Sequence, residues 1–254
     1  MNSVEAFIFG VVEGLTEFLP ISSTGHLILV SNLMGIQQTD AHKAFEVSIQ
    51  LGSIMAVVFL YWRKFLELEV LKRLVIAFIP TGILGFLLYK LIKSFFNPYV
   101  VIFMLILGGF ILIGIEYIHK NREYGIKSIY DIDYKKAFSI GIFQSFAMIP
   151  GTSRSGATII GGLLLNLDRK TAAEFSFLLA VPTMFMATLY DIYKNYSNFN
   201  VSDWSNLIVG FITAFIFAVI SIKLLLRFIS THNFIPFGIY RIFLGLIYFF
   251  VVLR

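Results

Sequence analysis

The sequence contains no cysteine, which excludes disulfide frameworks, thiolate zinc sites and cysteine nucleophiles. Charge is scarce as well. Only 14% of the 254 residues are charged and 58% are hydrophobic, whereas an ordinary soluble domain is roughly 45–50% apolar and 25% charged. Residues 1–10 hold no basic cluster, and polar residues interrupt the apolar stretch that follows, so the N-terminus does not read as a secretory signal. The formal net charge of +5 is carried mostly by connections between apolar runs. The positive-inside rule accounts for that distribution, and no nucleic-acid footprint is expected.

What is present is lipid-like. A mean hydropathy of +0.84 and several runs near the roughly 20 residues needed to cross about 30 Å of hydrocarbon predict an all-α integral membrane protein. Hydropathy places six crossings near 44–62, 74–91, 99–118, 171–193, 207–228 and 237–253. Two further apolar regions, 4–34 and 137–167, are cut near the middle by proline, glycine and hydroxyl residues. Broken backbone at membrane depth is tolerated only where protein or a wet cavity covers it, so each region is expected to be a re-entrant helix–loop–helix hairpin.

With that count, Arg63, Lys64, Lys72, Arg73, Lys120, Arg122, Lys127, Lys135, Lys136, Arg169, Lys170 and Arg227 fall on one side, expected to be cytoplasmic. Lys43, Lys90, Lys93, Lys194 and Arg254 fall on the other. The first hairpin then enters from outside and the second from the cytoplasm. An internal echo agrees: GVVEGLTEFLPISSTG at 10–25 resembles GIFQSFAMIPGTSRSG at 141–156, and the segments from Ala44 and Ala173 pair Glu46 with Glu174 and Ser48 with Ser176. One membrane domain, 1–254, is therefore expected to consist of inverted halves of approximately 1–119 and 135–254, with the broken helices meeting near mid-bilayer.

Both loops carry chemistry. Glu13 and Glu17 are four residues apart and share a helical face. An intramembrane carboxylate costs about 2.5–3.5 kcal/mol on insertion scales, so the pair calls for a cation, a proton or hydroxyl hydrogen bonds. Pro20 is expected to end the first helix at Leu19, leaving 21–25 as a turn in which at least one of Ser22, Ser23 and Thr24 caps the next helix. His26 falls in that helix's first turn, where neighbouring hydroxyls and acids suit it to proton transfer.

In the second loop, Gly151, Thr152, Ser153, Ser155, Gly156 and Thr158 surround Arg154. Amides at a helix start together with a bidentate guanidinium suit an oxyanion, so a phosphate cradle is expected there. Glu46, Gln50 and Glu174 read as braces, and Glu116, Lys223, His232 and Arg241 as interfacial residues at span ends. Asp131 and Asp133 read as a solvated charge run. The many phenylalanines read as packing or lipid-facing residues, some able to line an isoprenoid groove.

These motifs resemble the undecaprenyl-diphosphate phosphatase family associated with bacitracin resistance. The likeness rests on ExxxE at Glu13 and Glu17, FLPISSTGH through His26, FEVSIQLGS from Phe45, PGTSRSGAT from Pro150 and AAEFSFLLAVP from Ala172, in the family's order along most of the chain. It implies removal of the terminal phosphate from a C55 isoprenoid diphosphate, which returns the monophosphate carrier to peptidoglycan synthesis. It further implies a bacterial plasma-membrane protein that acts on the outer side, requires a divalent cation such as Mg2+ or Ca2+, and has an inverted-repeat fold assembled as a homodimer.

On that reading Arg154 and the second-loop groups, with Ser22 and Thr24, bind phosphate, while Glu13 and Glu17 hold the cation. Ser23 attacks, or water does, with His26 or Glu17 handling the proton. A lipid transporter or flippase shares the expected architecture but needs no nucleophile.

Overall fold

The computed structural model describes residues 1–37, 39–118, 124–195 and 204–252. Lys120, Arg122 and Arg254, which entered the expected sidedness, lie outside them, as do the side chains of Lys90, Lys93 and Lys194. The described residues form helices α1 (Ser3–Thr16), α2 (Ser23–Leu33), α3 (Asp40–Tyr61), α4 (Leu68–Leu87), α5 (Tyr89–Ser94), α6 (Pro98–Ile118), α7 (Tyr134–Ser145), α8 (Arg154–Leu164), α9 (Arg169–Asn195), α10 (Trp204–Ile229) and α11 (Ile235–Val252). Six of them, α3, α4, α6, α9, α10 and α11, are long and apolar enough to cross a membrane.

The observed spans match the hydropathy expectation except at α4, which begins at Leu68 rather than 74. Lys72 and Arg73 were expected in a loop, yet they are helical. The Arg73 guanidinium reaches out to the carbonyls of Ile132 at 2.7 Å and Tyr130 at 3.0 Å, so the charge stays tied to loop backbone while its Cα stays in the helix.

The interrupted regions each yield two short helices. With 14 and 11 residues in α1 and α2, and 12 and 11 in α7 and α8, a rise of 1.5 Å per residue gives lengths of about 21, 17, 18 and 17 Å. None alone reaches across about 30 Å of hydrocarbon. In lipid, helices gain little by hiding apolar surface from one another, so close backbone approach through small residues carries the packing. Gly10 and Gly14 of α1 do this against α10: a Cβ at Gly10 would lie 2.6 Å from the Gly210 carbonyl oxygen, and one at Gly14 would lie 2.5 Å from that of Ala214.

Gly141 of α7 plays the same part against α4, where its Cβ would lie 2.0 Å from the Ala77 carbonyl oxygen. Thr81 of α4 donates to the Gly141 carbonyl at 3.1 Å, closing the seam with a hydrogen bond. The α6–α11 crossing also uses glycines, with Gly109 and Gly238 each opposed to the other's carbonyl. The breaks after α1 and before α8 are thereby held inside the bundle.

Candidate active site where the two loops meet

Helix α1 ends at Thr16, earlier than Leu19, because Pro20 has no N–H to offer the Thr16 carbonyl four residues back. Glu17 keeps helical backbone as the C-cap and donates its N–H to the Glu13 carbonyl at 2.9 Å, so the two carboxylates do stack one turn apart. The chain then turns to Ser22, which sits at φ 70°, and the Ser22 hydroxyl accepts the Gly25 N–H at 3.4 Å to start α2. The second loop repeats this. Ser153 sits at φ 73° and its hydroxyl accepts the Gly156 N–H at 3.1 Å to start α8. Positive φ at a non-glycine residue costs of order 1–3 kcal/mol and collects at functional sites.

The residue after each strained serine is the first of its helix, and both reach the same acid. Ser23 Oγ donates to Glu17 Oε2 at 2.5 Å, and Arg154 Nη2 donates to Glu17 Oε1 at 2.9 Å. Ser155 Oγ adds a bond to the Leu19 carbonyl at 2.7 Å, so the loops touch tip to tip. Arg154 is further oriented by the Ser176 carbonyl at 2.9 Å and lies over the Phe18 ring at 5.6 Å. Thr158 donates to Ser176 Oγ at 2.7 Å and braces it from beneath.

Unmet polar atoms surround this hub. Both carboxylate oxygens of Glu13 are buried without a hydrogen-bond partner, as are Arg154 Nε and Thr152 Oγ1. Buried groups left unpaired cost about 1–3 kcal/mol each, more when charged, so they mark places for something else. Glu13 offers hard oxygen donors, and Glu17 and Glu46 are near enough to act on it electrostatically. Those donors fit a hard divalent cation. Among the described residues no three His, Cys, Asp or Glu side chains form a metal-binding group.

Several residues expected to line the phosphate site also make bonds within the loops. The hydroxyls of Ser22, Ser153, Ser155 and Thr158 serve as caps or loop ties, and the Gly156 N–H is spent on Ser153. Thr24 is half-buried. The N–H groups of Ser23, Thr24, Arg154 and Ser155, at the first positions of α2 and α8, have no carbonyl within their own helices and carry the partial positive charge of the two N-termini.

His26 is brought near the tip but turned away from the Ser23–Glu17 bond. Its Nδ1 lies 2.7 Å from the Ser22 carbonyl, which fixes the proton on Nδ1, and Nε2 accepts from the Tyr240 hydroxyl at 2.8 Å. The two rings stack at 5.6 Å.

Two residues expected at the interface are instead buried. Arg241 is 1% exposed and Glu116 2%. Glu116 pairs with Arg169 at 2.5 Å and accepts the Phe234 N–H at 2.9 Å, joining α6, α9 and the start of α11. Arg241 donates to the carbonyls of Pro20, Gly151 and Thr152 in the two loops and of Met104 and Leu105 in α6. Distance from the span end gave no hint of this. The glycines at 108 and 156 would have, since the guanidinium occupies the space their missing side chains leave.

A cavity of about 620 Å³ opens beside the hub. Arg154, Gln50, Gln144 and Thr183 contribute polar groups, while Phe78, Phe86, Tyr89, Met148, Met184 and Tyr190 make the rest of the wall aromatic or flexible and apolar. Such a space can take an apolar chain with its charged end at Arg154.

Six membrane-length helices around a buried acid, serine and arginine cluster, with an apolar cavity leading to it, define a polytopic membrane protein built to handle an anionic amphiphile. The family model described as bacitracin resistance protein BacA matches residues 6–247, and the chain belongs to that family. A protein of Sulfurihydrogenibium sp. (strain YO3AOP1) named undecaprenyl-diphosphatase is 74% identical over 249 residues, covering 98% of this chain and 99% of that protein. Those of Persephonella marina and Wolinella succinogenes bearing the same name are 66% and 60% identical, the first covering all of both chains and the second 98% of each.

Proposed function

We propose that the chain is an undecaprenyl-diphosphatase, hydrolysing the lipid diphosphate to the lipid monophosphate and inorganic phosphate. The observation that carries this is the convergence of Ser23 and Arg154 on the two oxygens of Glu17, with unpaired acceptors on Glu13 and unpaired donors on Arg154 and Thr152 alongside. The full-length likeness to proteins of that name supports the same reading. A transporter has no use for a hydroxyl bonded to a base, so hydrolysis is favoured over translocation.

In the proposed reaction, substrate phosphate takes Arg154 from Glu17, and Arg154 with the N-termini of α2 and α8 holds the diphosphate. Glu17 removes the Ser23 proton as Oγ attacks the terminal phosphorus; the Oγ–P bond forms, the anhydride P–O bond breaks and the lipid monophosphate leaves. Glu17 passes the Ser23 proton on to the leaving lipid monophosphate; water then attacks the phosphoserine, Glu17 takes one of the water protons and delivers it to Oγ as the Oγ–P bond breaks, and phosphate departs with the water oxygen and its other proton. A divalent cation, Mg2+ or Ca2+, would be held by Glu13 and Glu17 and would supply neutralisation of phosphate charge. His26 keeps Ser22 in place and, through Nε2 and Tyr240, serves as a proton reservoir beside the loop.

The same proposal covers the setting. The chain works in a bacterial plasma membrane, recycles the carrier for peptidoglycan synthesis and thereby confers bacitracin resistance, with its site open to the outer face and a homodimer as its assembly. The two interrupted regions are re-entrant hairpins of an inverted repeat, with halves 1–119 and 135–254. The short helix lengths, the matched serines at 22 and 153, and the matched glycine seams at Gly10 and Gly141 support this. Purified protein in detergent, where no compartments exist, should release phosphate from undecaprenyl diphosphate, and a chelator should abolish the release. Failure of wild-type protein, supplied with Mg2+ or Ca2+, to release phosphate would remove the enzyme reading.

A further inference from the structure

Arg241 lies in α11, outside both loops and both sequence motifs, yet it is among the most deeply buried side chains in the molecule. A guanidinium has five N–H groups. Here five bonds are made: Nη1 to the carbonyls of Pro20 at 3.2 Å and Thr152 at 2.8 Å, Nη2 to those of Gly151 at 2.9 Å and Met104 at 2.8 Å, and Nε to that of Leu105 at 3.3 Å. No carboxylate among the described residues pairs with it. A buried charge without a counterion is retained where its geometry does something a neutral residue could not.

The carbonyls it gathers belong to three separate parts of the chain. Pro20 precedes the strained Ser22 and the start of α2. Gly151 and Thr152 precede the strained Ser153 and the start of α8. Met104 and Leu105 belong to α6, a long helix that supplies a fixed reference. The tips of the two loops are thus tied to one planar group and, through it, to the α6–α11 pair.

We propose that Arg241 is a positioning residue for phosphate release: it sets the register of the two loops so that Ser23 and Arg154 arrive together on Glu17. It acts through the loop backbones and does not itself touch phosphate. This rests on the phosphatase reading for its activity readout but not for its structural one.

Lysine keeps the charge at 241 but has three donors and no planar fork, so it cannot hold five carbonyls. Arg241→Lys and Arg241→Met should therefore lower kcat for lipid diphosphate similarly, by about 100-fold or more, with KM within about threefold, as expected when alignment is lost and binding groups remain. Gly108→Ala tests the same point without touching the arginine. A Cβ at Gly108 would lie 2.1 Å from Arg241 Nη2, so this variant should displace the guanidinium and reproduce the kcat loss. Hydrogen exchange of the amides at 21–25 and 151–156 should speed up together in all three variants, and this holds whatever lipid the protein cleaves.

Full kcat in Arg241→Lys with loss only in Arg241→Met would show that charge, not register, matters and would overturn the proposal. So would unchanged exchange at either loop. Wild-type protein that releases no phosphate would count against the activity, while the exchange measurement would still decide the role of Arg241.

Discussion

At the start of α2, Ser22 adopts φ 70° and caps Gly25; at the start of α8, Ser153 adopts φ 73° and caps Gly156. The two loops share a backbone solution and differ in what they mount on it. The next position is Ser23 in one and Arg154 in the other, and the pair close on opposite oxygens of Glu17. One turn further back the difference is sharper. Glu13 aligns with Gln144 in the two similar sequence segments, and Gln144 is fully engaged, its amide nitrogen donating to Thr81 and Thr183 at 3.0 Å and its oxygen accepting from Thr183 at 3.3 Å. Glu13 has no such partners. At this pair of aligned positions one side chain is satisfied by its neighbours and the other is not.

The largest effects should come from the position after the serine. Arg154→Ala and Ser23→Ala are each expected to reduce kcat/KM for lipid diphosphate by about 1,000-fold or more, since one holds the charge of the transferring group and the other supplies the attacking oxygen. Near-normal turnover by Ser23→Ala in metal-replete protein would transfer the attack to water and leave Glu17 as its base.

Exchanging the residues one turn back should separate function from stability. Glu13→Gln gives the first interrupted region the amide of the second. It should cost about 10–100-fold in turnover, as loss of a cation ligand does, while raising the thermal midpoint, because an unpaired carboxylate is replaced by a neutral group. Gln144→Glu should do the reverse to stability, burying a charge among hydroxyls and lowering the midpoint. A Glu13→Gln protein that melts below wild type would contradict the view that Glu13 is held at a cost.

The smallest difference lies at the starts of α1 and α7. Helix α1 is capped by neutral Asn2 in a capping box with Glu5, whereas α7 is capped by Asp133, whose carboxyl the hydrogen-bonded Lys136 ammonium and backbone amide hold below the usual aspartate range. A depressed folded-state pKa contributes stability above the unfolded pKa that disappears as pH falls through the folded value. Asp133→Ala should therefore lower the melting midpoint by roughly 1–3 °C at neutral pH and by less below about pH 3. Asn2→Ala should show a similar loss with no pH dependence over that range.

Much of this was legible beforehand because lipid imposes strict rules. The six long helices follow from apolar length alone, and the breaks at Pro20 and Pro150 stand out because backbone cannot be interrupted in hydrocarbon without cover. Arg154 and Glu17 were visible as charges that had to meet a partner. Illegible in the sequence were the charges whose partners lie distant along the chain. Arg241 binds carbonyls 89–221 positions away, and Glu116 meets Arg169 and the Phe234 amide. Near the ends of apolar spans such charges look the same as interfacial ones. The hydroxyls of Ser22, Ser153 and Thr158 were likewise readable as phosphate ligands, and only the folded chain shows that they also hold Gly25, Gly156 and Ser176.

The sequence by itself determined that six helices are long and apolar enough to cross lipid and that two interrupted segments carry acids, hydroxyls and an arginine, because hydropathy and proline act locally. Only the tertiary structure decided that Ser23 and Arg154 share Glu17, that His26 turns to Tyr240, and that Arg241 ties both loops to α6. Apart from the Ser23–Glu17 bond, those outcomes depend on which donor reaches which acceptor over separations of 89 to 221 residues, and side-chain reach in three dimensions leaves no periodic trace along the chain.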